Sequence, residues 1–162
     1  MQKLNVLNTR EKKKVVDDLK EQYEFSGAIE GALMMNKEKK IFLITPDIAK
    51  ISRDQDKELR VDAAGLYIGK IEVNGIRLSM EGSQLIGPYS KKHFLEIDEE
   101  HLEHWVKGED FELSEKEQKK TGNEEGFFII KFGNDYMGCG QIKNNNLRSL
   151  VSKERRLKVL NR

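Results

Sequence analysis

The chain has 162 residues, enough for one domain or for two small ones that share an interface. Hydrophobic residues make up 37% of it and charged residues 35%, and the apolar residues are clustered in patterns, so wholesale disorder is not expected. No stretch approaches the ~20 apolar residues of a membrane span, and the N-terminus lacks a secretory signal, so we expect a soluble, cytoplasmic protein. The single cysteine, Cys139, excludes an internal disulfide and a multi-cysteine zinc site within the chain.

The formal net charge of +1 conceals a strong segregation of charge along the chain. Twelve acidic residues and four lysines lie between Glu96 and Glu125, whereas seven basic residues and one acidic residue lie between Gln141 and Arg162. A local positive field of this kind attracts phosphates. A solvated basic tail explains the charge count equally well.

The first half of the sequence predicts a helix followed by two hairpins. Asn8 and Thr9 are good N-cap residues before apolar residues at helical spacing, which predicts a helix over residues 9–23. The apolar runs GALMM and IFLIT flank a polar connection and predict a β-hairpin, and PDIAKI then predicts a short helix. Asn74-Gly75 predicts a second hairpin with a type I′ turn. A short helix, EGSQLIGP, ends at Gly87-Pro88, the predicted domain boundary.

The second half predicts one helix followed by a small β-rich unit. In DEEHLEHWVKGEDFEL a helix begins after Asp98 and ends at Gly108, and the polar stretch SEKEQKKTGNEEG predicts an exposed loop. The nearly continuous apolar run FFIIKF predicts a strand buried on both sides. Turns are predicted at residues 133–135 and 144–146, with the strand YMGCGQI between them, and LRSLV fits a strand or a short helix.

Three motifs are candidate catalytic or ligand sites, and none supports catalysis. The glycines around residues 133–140 lack the Gly-Lys-Ser/Thr signature of a mononucleotide-binding loop. They are better explained as positions where a strand bends or another backbone approaches closely. His101 and His104 share a helix face, but a metal site needs further ligands and no cysteine is near, so surface histidines fit better. Cys139 lies among glycines in an apolar strand, which indicates a packed thiol rather than a nucleophile.

The basic end of the chain, KNNNLRSLVSKERRLKVLNR, interleaves cations with leucine and valine. This pattern anchors the backbone while the cations point outward, and Arg155-Arg156 offers forked donors for phosphate oxygens. A basic amphipathic helix at a membrane surface or on a partner protein is the lower-ranked alternative.

The run GFFIIKFGNDYMGCGQIKNNNLRSLVSKERRL resembles the PUA-like domain that closes the Sun-family (RsmF-type) RNA cytosine-5 methyltransferases, and the helix DEEHLEHWVKGEDFEL fits the element before it. The catalytic half of those enzymes is missing, and no Pro-Cys pair is present, because Asp47 and Tyr89 follow the two prolines. The resemblance therefore implies an RNA-binding module without the enzyme. The stretches IFLITPDIAKI and LRVDAAGLYIGKIEVNGIRLSMEGSQLIGP resemble the α/β pre-PUA domain of archaeo-eukaryotic ribosome-biogenesis factors. The exact PUA subfamily stays open.

These inferences predict an α+β protein, with a small α/β pre-PUA-like domain over residues 1–87 and a PUA-like β pseudobarrel over residues 88–162. We expect a non-catalytic protein without cofactor or metal that binds structured RNA during rRNA or tRNA maturation. The alternative is an adaptor whose acidic residues 96–125 dock a methyltransferase or a ribosome-assembly protein. Gly138 and Gly140 are predicted to let RNA approach closely, and Tyr136 to stack on a base or pack in the core. The predicted phosphate contacts are Lys131, Lys143, Arg148, Lys153, Arg155, Arg156 and Lys158.

Overall fold

The computed structural model describes residues 4–47 and 65–158, in which ten strands form two five-stranded sheets. The first sheet contains β1 (Leu4–Val6), β2 (Ala32–Asn36), β3 (Lys40–Ile44), β4 (Leu66–Glu72) and β5 (Gly75–Leu78). The second contains β6 (Phe94–Glu96), β7 (Phe111–Glu112), β8 (Gly126–Phe132), β9 (Asp135–Lys143) and β10 (Asn146–Ser149). The helices of these residues are α1 (Thr9–Tyr23), α2 (Met80–Ile86), α3 (Glu99–Lys107) and α4 (Glu115–Thr121). None of these helices is long and apolar enough to cross a membrane.

The first sheet is an antiparallel meander in the order β1-β2-β3-β4-β5, with α1 packed against it. The predicted helix over residues 9–23 is confirmed, including its start, because the Asn8 side chain accepts from Glu11 N and the Glu11 side chain accepts from Asn8 N. The phenol of Tyr23, which is fully buried, donates to the carbonyl of Ile76 at 2.6 Å. The end of α1 is thereby fastened to β5.

The predicted hairpin of β2 and β3 is confirmed, whereas the turn predicted at Asn74-Gly75 is wrong in type. Glu72 pairs with Gly75, so the turn residues are Val73 and Asn74. Of these turn and flanking residues only Gly75 has a positive φ, 123°, whereas a type I′ turn needs two successive residues with positive φ. Gln22 of α1 bonds both the N–H and the carbonyl of Ile76, so a tertiary contact fixes this register.

The second sheet has the order β6-β8-β9-β10-β7, and its edge strand β6 runs parallel to β8. The predicted helix after Asp98 is confirmed, and Gly108 ends it in the left-handed conformation with φ 73°. LRSLV contributes the strand β10. The loop predicted at SEKEQKKTGNEEG is wrong, since most of that stretch is the helix α4. Ser114 and Glu117 form a capping box at its start, and the buried Glu117 also bonds His101, so tertiary contacts stabilise a helix of polar composition.

Strand β8 is buried on both faces, as predicted, because each face belongs to a different core. Phe127 and Ile129 join the core of the first sheet and α1, whereas Phe128 and Ile130 join a core around Trp105. The fold class predicted from the sequence is confirmed: helices and two sheets, the second in the β-rich C-terminal part. The division into domains at Gly87-Pro88 falls between the sheets and stays a prediction. The predicted helix PDIAKI lies outside the described residues after Asp47, and the residues LRVDAA lie outside them entirely.

Candidate nucleic-acid interface

Two of the predicted cations, Lys143 and Arg148, lie on one face of the second sheet. Lys143 is opposite Asn146, and Arg148 is opposite Gln141, across the β9–β10 pair. Cross-strand partners and alternate residues of a strand project to the same side, so both cations share a face. Both are exposed. Strand register therefore brings these two together as a small basic patch.

Arg155 is bound to the first half of the chain. It lies in a 3₁₀ turn, Lys153–Arg155, and donates to the carboxylate of Glu81 and to Sδ of Met80 at 3.2 Å, both at the start of α2. Arg155 and Glu81 also line a cleft of about 300 Å³ between the first sheet and β9. This arginine fastens the C-terminal segment to α2 instead of projecting freely.

Arg156 also has an intramolecular role. Its Nε donates to the carbonyl of Val151 at 3.1 Å, and its side chain lies over Gly108, where an added Cβ would come 2.3 Å from Nε. Lys153 and Lys158 are exposed, as Arg155 also is despite its bond to Glu81. In the segment 153–158 the lysines therefore face solvent, while the arginines hold the segment in place.

Lys131 lies at the other end of the same sheet face. Its Nζ is 5.6 Å from the centre of the Tyr136 ring. Phe127, which is opposite Gln141, is four residues away along β8, or about 13 Å at the usual rise per residue. Tyr136 packs partly against the first core and lies over Gly87, which fits the core role weighed for it. Lys131 is thus separate from the Lys143–Arg148 patch.

Gly138 and Gly140 are buried and face the indole of Trp105. A Cβ on Gly138 would lie 3.3 Å from that ring, and one on Gly140 would lie 3.1 Å from it and 2.7 Å from Leu147. Gly138 also has a φ of 127°, which disfavours any L side chain. The close approach that these glycines permit in this structure is that of Trp105.

A lysine-lined groove was missed by the sequence analysis. It lies between the segment 91–94 and α4, has a volume of about 460 Å³, and contains an exposed aromatic side chain, Phe94. Four lysines line it: Lys91, Lys92, Lys119 and Lys120. The available signals were the basic-aromatic run KKHF and the lysine pair in KEQKKTG. The second signal fell inside a stretch that the charge count classed as acidic.

The candidate reactive groups are engaged in structural contacts. Cys139 is buried, and burial raises the pKa of its thiol to about 12, so the thiolate form is strongly disfavoured at neutral pH. The two helix histidines have different partners, His101 bonding Glu117 at 2.7 Å and His104 bonding Glu109 at 2.7 Å. Their contacts stabilise helices and place the two histidines in separate hydrogen-bonded pairs.

Residues 92–157 match the family described as the methyltransferase RsmF PUA domain. The C-terminal part of the chain is a PUA-like domain. This confirms the resemblance that the residues of the second half indicated, and a PUA domain suggests RNA binding. No curated protein gives a significant match to the chain. The resemblance of the first half to a pre-PUA domain stays a prediction.

Proposed function

We propose that this protein binds RNA without catalysing a reaction and acts in the maturation of rRNA or tRNA in the cytoplasm. The observation that carries the proposal is the PUA-like domain over residues 92–157. Exposed cations occur within the same range, which is what binding to a phosphate backbone requires.

The basic patch of the second sheet is the first proposed contact surface. Lys143 and Arg148 share a face, and Lys153 and Lys158 add exposed charge in the segment that follows. Arg155 supports this surface by holding that segment against α2, and Arg156 supports it through its bond to Val151 and its contact with Gly108 at the end of α3.

The double substitution Lys143→Gln and Arg148→Gln tests this surface. Titrations of labelled rRNA and tRNA transcripts at several salt concentrations should show weaker binding, and the plot of log K against log salt should be shallower by about 1.5, because each lost phosphate contact contributes about 0.7–0.9. Lys13→Gln with Lys37→Gln removes the same charge from exposed positions of the first half and serves as the control. Wild-type protein that binds none of the transcripts would overturn the proposal, and sequencing of RNA crosslinked in cells would identify the class bound.

The absence of catalysis is part of the proposal. Cys139 supports it, because a thiol with a pKa near 12 is a poor nucleophile and this one is buried. We expect the folded protein to resist a thiol reagent at neutral pH and to react once it is unfolded in urea. Fast labelling of the folded protein would contradict this assignment.

A second candidate function is a protein-interaction adaptor, which the exposed acids around α3 and α4 favour. They would dock a basic partner such as a methyltransferase subunit or a ribosome-assembly protein. The exposed acidic side chains in question are Glu99, Glu100, Glu109, Asp110, Glu112 and Glu115. Pull-down before and after nuclease treatment separates the two functions: partners lost with the RNA favour RNA binding, and partners that remain favour the adaptor.

A further inference from the structure

The first wall of the lysine-lined groove is a segment whose backbone is fixed by the rest of the fold. The N–H groups of Lys91 and Lys92 donate to the carbonyl of Tyr23 at 3.0 and 3.1 Å. The carbonyl of His93, a residue with a φ of 54°, accepts from Ile129 N at 2.8 Å. This wall is therefore attached to the end of α1 and to β8, and its lysines have defined positions on the surface.

The second wall is α4, which presents two lysines from its last turn. Lys119 and Lys120 lie where the partial negative charge of the helix end favours cations, just before the cap residue Gly122. His93 and Glu124 connect the walls, since Nε2 of the imidazole is 2.6 Å from Oε2 of the carboxylate. Two segments that are far apart in the sequence thus form one groove.

The four lysines of the groove are available to a ligand. Within residues 4–47 and 65–158 none of them forms an ion pair with a carboxylate. Two acids also line the groove, and one of them, Glu124, is engaged by His93. Glu96 is the other acid, so four lysines line the groove with only one carboxylate that His93 does not engage. The excess positive charge selects an anionic ligand.

Phe94 distinguishes this groove from a general anion site. Its side chain is 40% exposed although it is large and apolar. An exposed aromatic ring beside cations is the arrangement on which unpaired bases stack while their phosphates are neutralised. A base within a duplex is already stacked, so this arrangement favours a single strand.

We infer that this groove binds an unpaired strand of RNA, with the phosphates on Lys91, Lys92, Lys119 and Lys120 and one base stacked on Phe94. The inference rests on the proposed RNA binding and adds a site and a substrate class to it. An acidic peptide satisfies the lysines but gains nothing from the aromatic ring. The groove uses α4, residues 91–93 and the strand β6, whereas the Lys143–Arg148 patch lies on β9 and β10.

The test is a fluorescence anisotropy titration of the full chain with a short, unstructured, labelled RNA, and with the same RNA annealed to its complement. Lys119→Gln with Lys120→Gln should weaken binding of the single strand about tenfold, and the salt slope should be shallower by about 1.4, at about 0.7 per lost contact. Phe94→Leu should weaken binding by about tenfold as well, from lost stacking, with the salt slope unchanged. Lys13→Gln with Lys37→Gln is the charge-matched control.

The outcomes separate the inference from the proposed function. Groove variants that bind the single strand like the control, while the Lys143→Gln/Arg148→Gln variant is impaired, overturn the groove and leave RNA binding intact. Groove variants that lose as much affinity for the duplex as for the single strand also overturn it, as does tighter binding of an oligoglutamate peptide than of RNA by the wild type. Wild-type protein that binds neither form of the RNA nor the rRNA and tRNA transcripts removes the proposed function and the inference together.

Discussion

The two faces of β8 differ in which part of the chain completes their cores. Phe128 and Ile130 pack with Trp105, inside the PUA-like range, whereas Phe127 and Ile129 pack with residues of the first sheet and α1. The PUA-like domain thus has one core of its own and shares the other with the first half of the chain. If residues 92–157 stood alone, one face of β8 would be uncovered.

The largest expected effect is the loss of a phenylalanine from either face. Phe127→Ala and Phe128→Ala should each lower the free energy of unfolding by about 3–5 kcal/mol, because each removes a buried ring and leaves a cavity. Urea denaturation is followed by far-ultraviolet circular dichroism and by fluorescence of Trp105, the only tryptophan. We expect both signals to report one shared transition in both variants.

Val73→Ala, at a fully exposed turn position, is the control and should change stability by less than about 0.5 kcal/mol. If Phe127→Ala shifts the circular dichroism transition but leaves the Trp105 transition in place, the two cores are energetically independent. The two halves of the chain would then be separate folding units.

Gly140→Ala tests the core that belongs to the PUA-like domain alone. The added methyl group would press on Leu147 and Trp105, and this overpacking should cost about 1–3 kcal/mol in thermal unfolding. The half-buried neighbour Gln141, changed to Ala, is the control. A variant of unchanged stability with weakened RNA binding would instead support the role of close RNA approach predicted for Gly140.

Ser114→Ala tests the helix α4, which packs against the edge strand β6. The Ser114 hydroxyl caps α4 by accepting from Glu117 N, so its loss should cost about 1 kcal/mol. Ser152→Ala is a matched control, because Ser152 holds the corresponding position of the 3₁₀ turn without a side-chain cap. Equal effects of the two changes in urea denaturation would show that the cap contributes nothing.

The smallest effect is expected for the surface contact between the two halves. A double-mutant cycle with Arg155→Gln and Glu81→Gln should give a coupling of about 0.2–1 kcal/mol, because both side chains are partly exposed and the pair is screened by water. A coupling of several kcal/mol would mean that this ion pair, rather than the shared core, joins the halves.

Elements with strong local signals were predictable from the sequence. Asn8 and the apolar spacing after it gave α1, and Asp98 and Gly108 gave both ends of α3. Burial of β8 on both faces followed from its unbroken apolar run. In each case the residues that decide the structure are near neighbours in the chain.

The misses depend on contacts between distant residues. The helix α4 has a polar composition, and only the spacing of Ser114 and Glu117 signals it, while its tertiary partner His101 is invisible from local pattern. The groove brings together Lys92 and Lys119, which are far apart in the sequence, so no short stretch of sequence contains both walls. The many basic residues near Arg155 in the sequence likewise give no sign that its guanidinium is bound to the carboxylate of Glu81 in α2.

The parallel pairing of β6 with β8 sets an order of assembly during synthesis. The intervening α3, β7 and α4 must leave the ribosome before β6 finds its partner. The meander of the first sheet forms from neighbouring segments, but its core lacks Phe127, Ile129 and Cys139 until β8 and β9 emerge. A nascent chain that has reached only α2 therefore displays an uncovered apolar surface, which is where a chaperone would bind it and where premature aggregation would begin.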